Sequence, residues 1–414
     1  MALADDIHSG RVAGGRPDSD GPAGDGTVTS LFEGTYARGD AGLAVAADAW
    51  FDALLEVEAA LTAACVAEDL ITAEAGQAVC DALRDPHFNV ERIAALAGAH
   101  ATPVVGLVTA LREQLGPSHA AAVHLGATSQ DILDTAMMLV SKRALAVIMT
   151  DLGAAAQAAR ELTVKYTETP LPGRTLLQQA LPTSFGLVAA GWMSGLLRAC
   201  SELERVRKQL AVQMGGAVGT RSPAVAARVA ATLGLAVPDL PWHAERSRVA
   251  MLAGALGITA GTLAKVARDV ELMAMTEIGE LREGVEGRGG SSAMAHKRNP
   301  VAAVSVIACA QRIPGLLSTI FAAMPQELQR GAGGWQAEWG TLSELLALSG
   351  SAAAWGSDLL VNLVVDTERM RENLELLAGA GVTAAVWPAE LGGARELIAQ
   401  ALARTGGYQT GGAQ

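Results

Sequence analysis

The feature that most constrains this chain is a set of unusually long stretches free of helix breakers. Residues 129–165 contain no proline and a single glycine, Gly153, and predict one helix about 55 Å long at 1.5 Å per residue. Similar runs cover 184–214, about 246–282, 300–326 with Pro314 as the expected kink, and about 336–365. Globular helices average about 11 to 12 residues, so runs of this length point to a long-helix bundle. Parts of them are apolar on every side, as in VAAVSVIACA at 301–310, which requires burial of more than one face. We therefore expect an oligomer whose subunits share a helical core; a large monomeric bundle is the alternative. Aromatic residues make up only 4% of the chain, and the small side chains that replace them allow close helix approach.

The flanking regions divide the chain further. Residues 1–28 are rich in Gly, Asp, Ser and Pro and predict a flexible tail. Residues 29–117 form an expected N-terminal helical domain. Its first helix places Trp50, Leu54, Leu55, Val57, Ala60 and Leu61 at helical spacing, and further helices are expected at 73–84, 90–97 and 102–115. Residues 118–366 hold the long runs, with only short strand candidates around Leu171 and Pro172 and at 213–220. Residues 367–414 predict a shortened C-terminal helical domain ending in a disordered tail, GGYQTGGAQ.

Composition excludes several functions. Half the residues are hydrophobic and the mean hydropathy is +0.28, yet the most apolar stretch, 301–324, is interrupted by Gln311, Arg312 and Pro314. The opening MALADDIHSGR carries acids where a secretory signal needs a basic region, so no membrane association and a cytoplasmic location are expected. Cys65, Cys80, Cys200 and Cys309 lack CxxC spacing and read as buried free thiols. The histidines form no HxH or HxxxH pair, and no metal is expected. A net charge of −12 argues against nucleic acid, which is bound by neutralising phosphates. It also opposes a small polyanion at long range, unless basic residues and helix ends concentrate locally.

Three glycine-containing segments open long helices and hold most of the uncharged polar residues. The first, HLGATSQDILDT at 124–135, offers Thr128 or Ser129 as a helix cap; capping alone would also explain them. The second, LPGRTLLQQALPTSFG at 171–186, carries Arg174, Thr175, Gln178 and Gln179 before a helix starting near Pro182. Arg174 suits a bidentate carboxylate clamp, although a surface ion pair is the commoner fate of a lone arginine. The third, GRGGSSAMAHKRNP at 287–300, combines three glycines, Ser291 and Ser292, and the basic cluster His296, Lys297 and Arg298. Asn299 and Pro300 read as N-cap and first helical residue, which would aim free N–H groups at the loop. Flexibility, hydroxyls, cations and helix dipole together describe an anion-binding lid; a plain surface loop is the alternative.

GGSSAMAHKRNP resembles the GSSxMPxKxNP signature of the fumarase, aspartase, argininosuccinate lyase and adenylosuccinate lyase superfamily, and the other two segments resemble its two further signature regions in order and spacing. The resemblance spans about residues 30–395. It implies an all-α, three-domain fold with a central long-helix bundle, a homotetramer whose sites each take the three segments from three subunits, a small polycarboxylate substrate and no cofactor. Within the superfamily, Trp335, Gln336, Glu338 and Trp339 bring the chain nearest a cycloisomerase branch, in which a substrate carboxylate adds across a conjugated alkene and closes a lactone. A lyase eliminating a group from a substituted succinate, of nitrosuccinate or adenylosuccinate type, is the alternative, and a catalytically silent scaffold a further one.

The resemblance also implies roles. Ser291 becomes the general acid/base, Lys297 the cation stabilising an aci-carboxylate, and Asn299 and Ser292 binding groups. Thr128, Ser129, Gln130, Arg174, Thr175 and Gln178 hold substrate carboxylates, and His124 is a binding residue or else a satisfied core histidine. His296 is expected to belong to the lid rather than to the chemistry. Two positions depart from the pattern. Leu176 stands where many superfamily lyases carry histidine after GRT, which fits the cycloisomerase branch, and Ala295 replaces the proline after Met294.

Overall fold

The structure is a computed structural model that describes residues 31–220, 222–379 and 392–405; the expected tails at 1–28 and 406–414 lie outside these. After a short helix α1 (Glu33–Tyr36), four helices lead in: α2 (Ala47–Ala67), α3 (Ala73–Arg84), α4 (Val90–His100) and α5 (Pro103–Leu115). Their starts follow local chemistry. The Thr72 and Asn89 side chains accept the Ala75 and Arg92 N–H groups at 3.2 and 3.1 Å, and Pro103 occupies the first helical turn behind Thr102.

Five long helices follow: α6 (Ser129–Lys165), α7 (Phe185–Arg207), α9 (Ser247–Met273), α10 (Val301–Ala322) and α11 (Gly334–Val361), with the short α8 (Pro223–Leu233) between α7 and α9. They alternate in direction. The segment before α9, the start of α11 and the segment after α7 all meet the start of α6, and Gln326, just past the end of α10, meets Glu338 near the start of α11. The start of α7 meets the end of α6, where Phe185 N–H donates to the Thr169 carbonyl. Helices α12 (Thr367–Gly379) and α13 (Gly392–Thr405) close the described chain.

Small residues set the spacing. At Gly350 an added Cβ would lie 2.1 Å from the Ala41 Cβ, so α11 and the segment before α2 touch where no side chain fits. Pro314 sits inside α10 without ending it. Helices α9 and α10 are long and apolar enough to cross a membrane by length and composition, but both pack in the bundle, with Leu252, Leu256, Ala303 and Val306 fully buried. On their outer faces Ile258, Val304 and Phe321 are exposed.

Three of the expected helical runs end early because their last residues are extended. After α7, Ala211 bridges Ala236. After α9 and α11, strand β3 (Leu281–Glu283) pairs antiparallel with β4 (Leu363–Val365). Apolar runs this short do not distinguish strand from helix. A further hairpin joins α6 to α7, with β1 (Pro170–Thr175) antiparallel to β2 (Gln178–Ser184). Pro182 and Thr183, read as a helix start, lie in β2, and only Ser184 caps α7, its side chain accepting Leu187 N–H. The hairpin turn is Leu176 and Leu177 at φ +50° and +64°, a left-handed pair that normally selects Asn and Gly.

A buried polar network joins the starts of α6 and α11 to the residue before α9. Arg246, 1% exposed, donates to Asp134 at 2.7 Å and to Glu338 at 3.1 Å. Trp335 Nε1 and Gln130 Nε2 also donate to Asp134, at 2.9 and 3.0 Å. Burial opposes the Arg246 charge, but Asp134 and Glu338 outweigh it and raise its pKa. Burial raises the Glu338 pKa despite Arg246. Removing one partner of such a set strands buried charge and costs about 3 to 5 kcal/mol. Arg246→Leu is therefore expected to lower the denaturation midpoint markedly, whereas Arg371→Ala, at an exposed pair with Glu368, leaves it close to the wild-type value; equal effects in thermal or urea melts would remove the network from this role.

Candidate active site

The first segment is built on a second buried node. Asp131, in the first turn of α6, accepts Thr128 N–H at 2.9 Å, Gln213 Nε2 at 2.9 Å and Gly216 N–H at 3.1 Å, and lies 3.1 Å from His243 Nε2. Burial would raise its pKa, but the hydrogen bonds from His243, Gln213 and Thr128 together outweigh it and hold the carboxyl below the ordinary aspartate range. Thr128 and Ser129 sit half-buried above this node. Gln130 does not. It is 0% exposed and donates to Asp134 and, at 2.8 Å, to the His243 carbonyl. Its place in the first turn of α6 points Gln130 into the bundle, where it supports the segment from within.

Arg330, which precedes α11, donates to Thr128 Oγ1 at 2.9 Å and lies over the Trp335 ring. It has no carboxylate partner among the described residues. Sequence reasoning missed it, although Arg330 stands before a glycine-rich turn that opens a long helix, the same pattern that marked the other segments. His124, at the head of the segment, lies 2.6 Å from Glu58 through Nδ1.

The second and third segments lie at the far end of the bundle. Arg174 forms a bidentate pair with Glu280 at 2.9 and 2.7 Å. Glu280 is fully buried and also accepts Asn373 Nδ2 at 2.8 Å. The guanidinium is thus held within the chain, and Thr175 and Gln178 flank the exposed hairpin tip beside it.

In the third segment Ser291 Oγ accepts the N–H groups of Ala293 and Met294 at 3.3 and 3.2 Å. Ser292, His296, Lys297 and Arg298 are exposed. The loop closes on itself through a Gly290 to Arg298 bridge and Asn299 N–H to the Gly289 carbonyl at 2.8 Å. Asn299 and Pro300 do not cap the next helix as the sequence suggests. Helix α10 starts at Val301, and Glu283 Oε2 and Oε1 accept the Ala302 and Ala303 N–H groups at 3.1 and 3.0 Å. The helix end read as a free donor set is therefore occupied by a carboxylate from β3, a contact no local pattern announces. Arg288 ties the loop base down by pairing with Glu283 and with Asp358.

One chain brings the second and third segments to one end and leaves the first at the other, separated by the 37 residues of α6, about 55 Å. Two grooves on the surface, one walled by Trp192, Arg198 and Lys265 and one by Gln157, Glu161 and Leu360, contain none of these residues. Among the described residues no group of three or more His, Cys, Asp or Glu side chains is arranged to hold a metal.

Fold and segments together define a lyase, and the chain belongs to the lyase family, whose profile matches residues 38–315. It is 44% identical over 348 residues to the 3-carboxy-cis,cis-muconate cycloisomerase of Pseudomonas aeruginosa, covering 80% of this chain and 75% of that one. It is 40% identical over 354 residues to the nitrosuccinate lyase of Streptomyces davaonensis, covering 81% and 75%. The crystal structure of 3-carboxy-cis,cis-muconate lactonizing enzyme from Pseudomonas putida matches with a TM-score of 0.81 at 36% identity, over 91% of this chain and 87% of that one.

The loop conformation depends on Gly289. It lies at φ +76°, and an added Cβ would stand 2.2 Å from the Asn299 carbonyl oxygen. Gly289→Ala is expected to open the loop, seen as faster proteolytic cleavage within 284–300 with an unchanged melting midpoint. A cleavage rate equal to wild type would show that the loop does not rely on this contact.

Proposed function

We propose that the protein is a cycloisomerase that converts 3-carboxy-cis,cis-muconate to carboxymuconolactone, in the protocatechuate branch of the β-ketoadipate pathway, and that it works in the cytoplasm as a homotetramer. The observation that carries this reading is the 44% identity, across 80% of the chain, to an enzyme named for that reaction. Leu176, at the position where many superfamily lyases resemble one another in carrying histidine, agrees with it.

In this reaction a substrate carboxylate oxygen attacks the conjugated alkene and forms the ring C–O bond. The alkene electron pair moves into the neighbouring carboxylate, giving an aci-carboxylate. A proton from Ser291 then adds to the adjacent carbon to complete the lactone, and solvent reprotonates the serine. The N–H groups that point at Ser291 Oγ favour the alkoxide this leaves. Lys297 and Asn299 stabilise the aci-carboxylate, where charge develops; the start of α10, covered by Glu283, takes no part. Ser292 assists binding. Thr128, Ser129, His124 and Arg330 hold carboxylates on one wall, and Thr175 and Gln178 contact substrate on another, with Arg174 steadied by Glu280.

The separation of the segments along α6 supports an assembled site, because only other copies supply the missing walls. The exposed Ile258, Val304 and Phe321 would be covered in that assembly. A second reading, elimination from a substituted succinate, is carried by the 40% identity to nitrosuccinate lyase; it uses the same aci-carboxylate.

Loss of the diene ultraviolet absorbance of 3-carboxy-cis,cis-muconate at micromolar enzyme tests the first reading. An unchanged absorbance, with nitrosuccinate consumed, would replace it by the second. Ser291→Ala is expected to lower turnover at least about 100-fold while leaving assembly intact; near-normal turnover would remove Ser291 from the acid/base role. Light scattering is expected to give the mass of four chains, and a monomer at micromolar concentration would contradict the shared site.

A further inference from the structure

The reaction as described leaves one buried acid without a role. Glu58 lies on α2, outside all three glycine-containing segments, and is 1% exposed. A carboxylate is taken out of water at a cost that only good partners offset, yet Glu58 Oε2 is buried with no hydrogen-bond partner. Its Oε1 has one partner, His124 Nδ1 at 2.6 Å. His124 in turn holds φ +58°, a left-handed conformation that a residue with a side chain enters only at a conformational cost. Both unfavourable features fall on one contact, and an apolar pair would fill the same space without burying an unpartnered carboxylate oxygen.

The ring is not sealed in. The His124 side chain is 12% exposed, and among the described residues Nδ1 is the nitrogen with a hydrogen bond. A carboxylate at Nδ1 selects the tautomer and the ring orientation, so the other nitrogen, Nε2, is the edge left for a ligand. The residues that follow in the chain, Thr128 and Ser129, form the wall to which substrate carboxylates are assigned.

We propose that Glu58 is a positioning residue, which fixes a proton on His124 Nδ1 and turns Nε2 toward a substrate carboxylate at the Thr128 and Ser129 wall. When that carboxylate docks, the ring lies between two acids, with Nδ1 facing Glu58 and Nε2 facing the substrate. Glu58 never touches substrate. The proposal rests on the reading of the first segment as a carboxylate-binding wall, and it adds α2 to the parts of the chain that shape the site.

Two measurements test it. In ¹⁵N-histidine-labelled wild-type enzyme, the His124 ring, assigned by its loss in His124→Gln, is expected to carry its proton on Nδ1. Glu58→Gln is expected to redistribute that proton between the two nitrogens. A wild-type proton on Nε2 would overturn the proposal whether or not the enzyme turns over 3-carboxy-cis,cis-muconate, whereas an inactive wild type with the proton on Nδ1 would count against the assigned reaction alone. In steady-state assays Glu58→Gln is expected to raise KM about tenfold with kcat within about twofold. His124→Gln should do the same, and the double variant no more than either single one, as coupled residues behave. Glu58→Asp should recover part of the loss. A Glu58→Gln enzyme with unchanged KM but a lower melting midpoint would assign the pair to structure and sink the positioning role.

Discussion

Arg246 carries its charge into the bundle, and three helices take their registers from the way that charge is met. Asp134 on α6 and Glu338 on α11 both reach it just ahead of α9. Apolar side chains of similar volume would pack as well or better, so such a set is weak evidence for stability and better evidence for register. Sliding α11 by one turn, about 5.4 Å, would leave Glu338 buried without a counter-charge. The aligned end is also the end on which the first segment rests, since Asp131 is one helical turn from Asp134.

The far end is ordered by different means. There acids hold basic residues in place: Glu280 fixes Arg174, and Glu283 with Asp358 fixes Arg288. These pairs consume cations otherwise free to meet an anion directly, in a chain with 43 acidic and 31 basic residues. What remains without a carboxylate partner among the described segment residues includes Lys297 and Arg298 at one end and Arg330 at the other. The long-range repulsion of an acidic chain is thereby set against short-range attraction at a few exposed cations, as focusing by local charge requires.

The long helices were legible because the absence of proline over many residues has few structural meanings, and α6 occupies the residues its sequence marks. Their ends were less so. At 208–214 and 274–282 the apolar pattern continues while the backbone pairs with distant residues, and period alone carries no information about such partners. The hairpin at 170–184 was visible only as a short strand candidate, since its turn holds two leucines in place of Asn and Gly. The site was legible as segments and not as contacts. Gln130 shares a polar segment with Thr128 and Ser129, but helical geometry turns it inward. Glu58, Glu283 and Arg330 are tied to the segments by contacts spanning 66, 19 and 202 positions, beyond any local motif.

The leucine turn has one more consequence. Each left-handed non-glycine residue costs about 1 to 2 kcal/mol, and Leu176 and Leu177 are also 96% and 74% exposed, so side-chain burial among the described residues does not repay the strain. Substitution by Asn and Gly would be rewarded under any pressure that acts on folding alone. Two laboratory lineages of this gene, one screened for survival of heating and the other for turnover, would therefore part company first at these two codons.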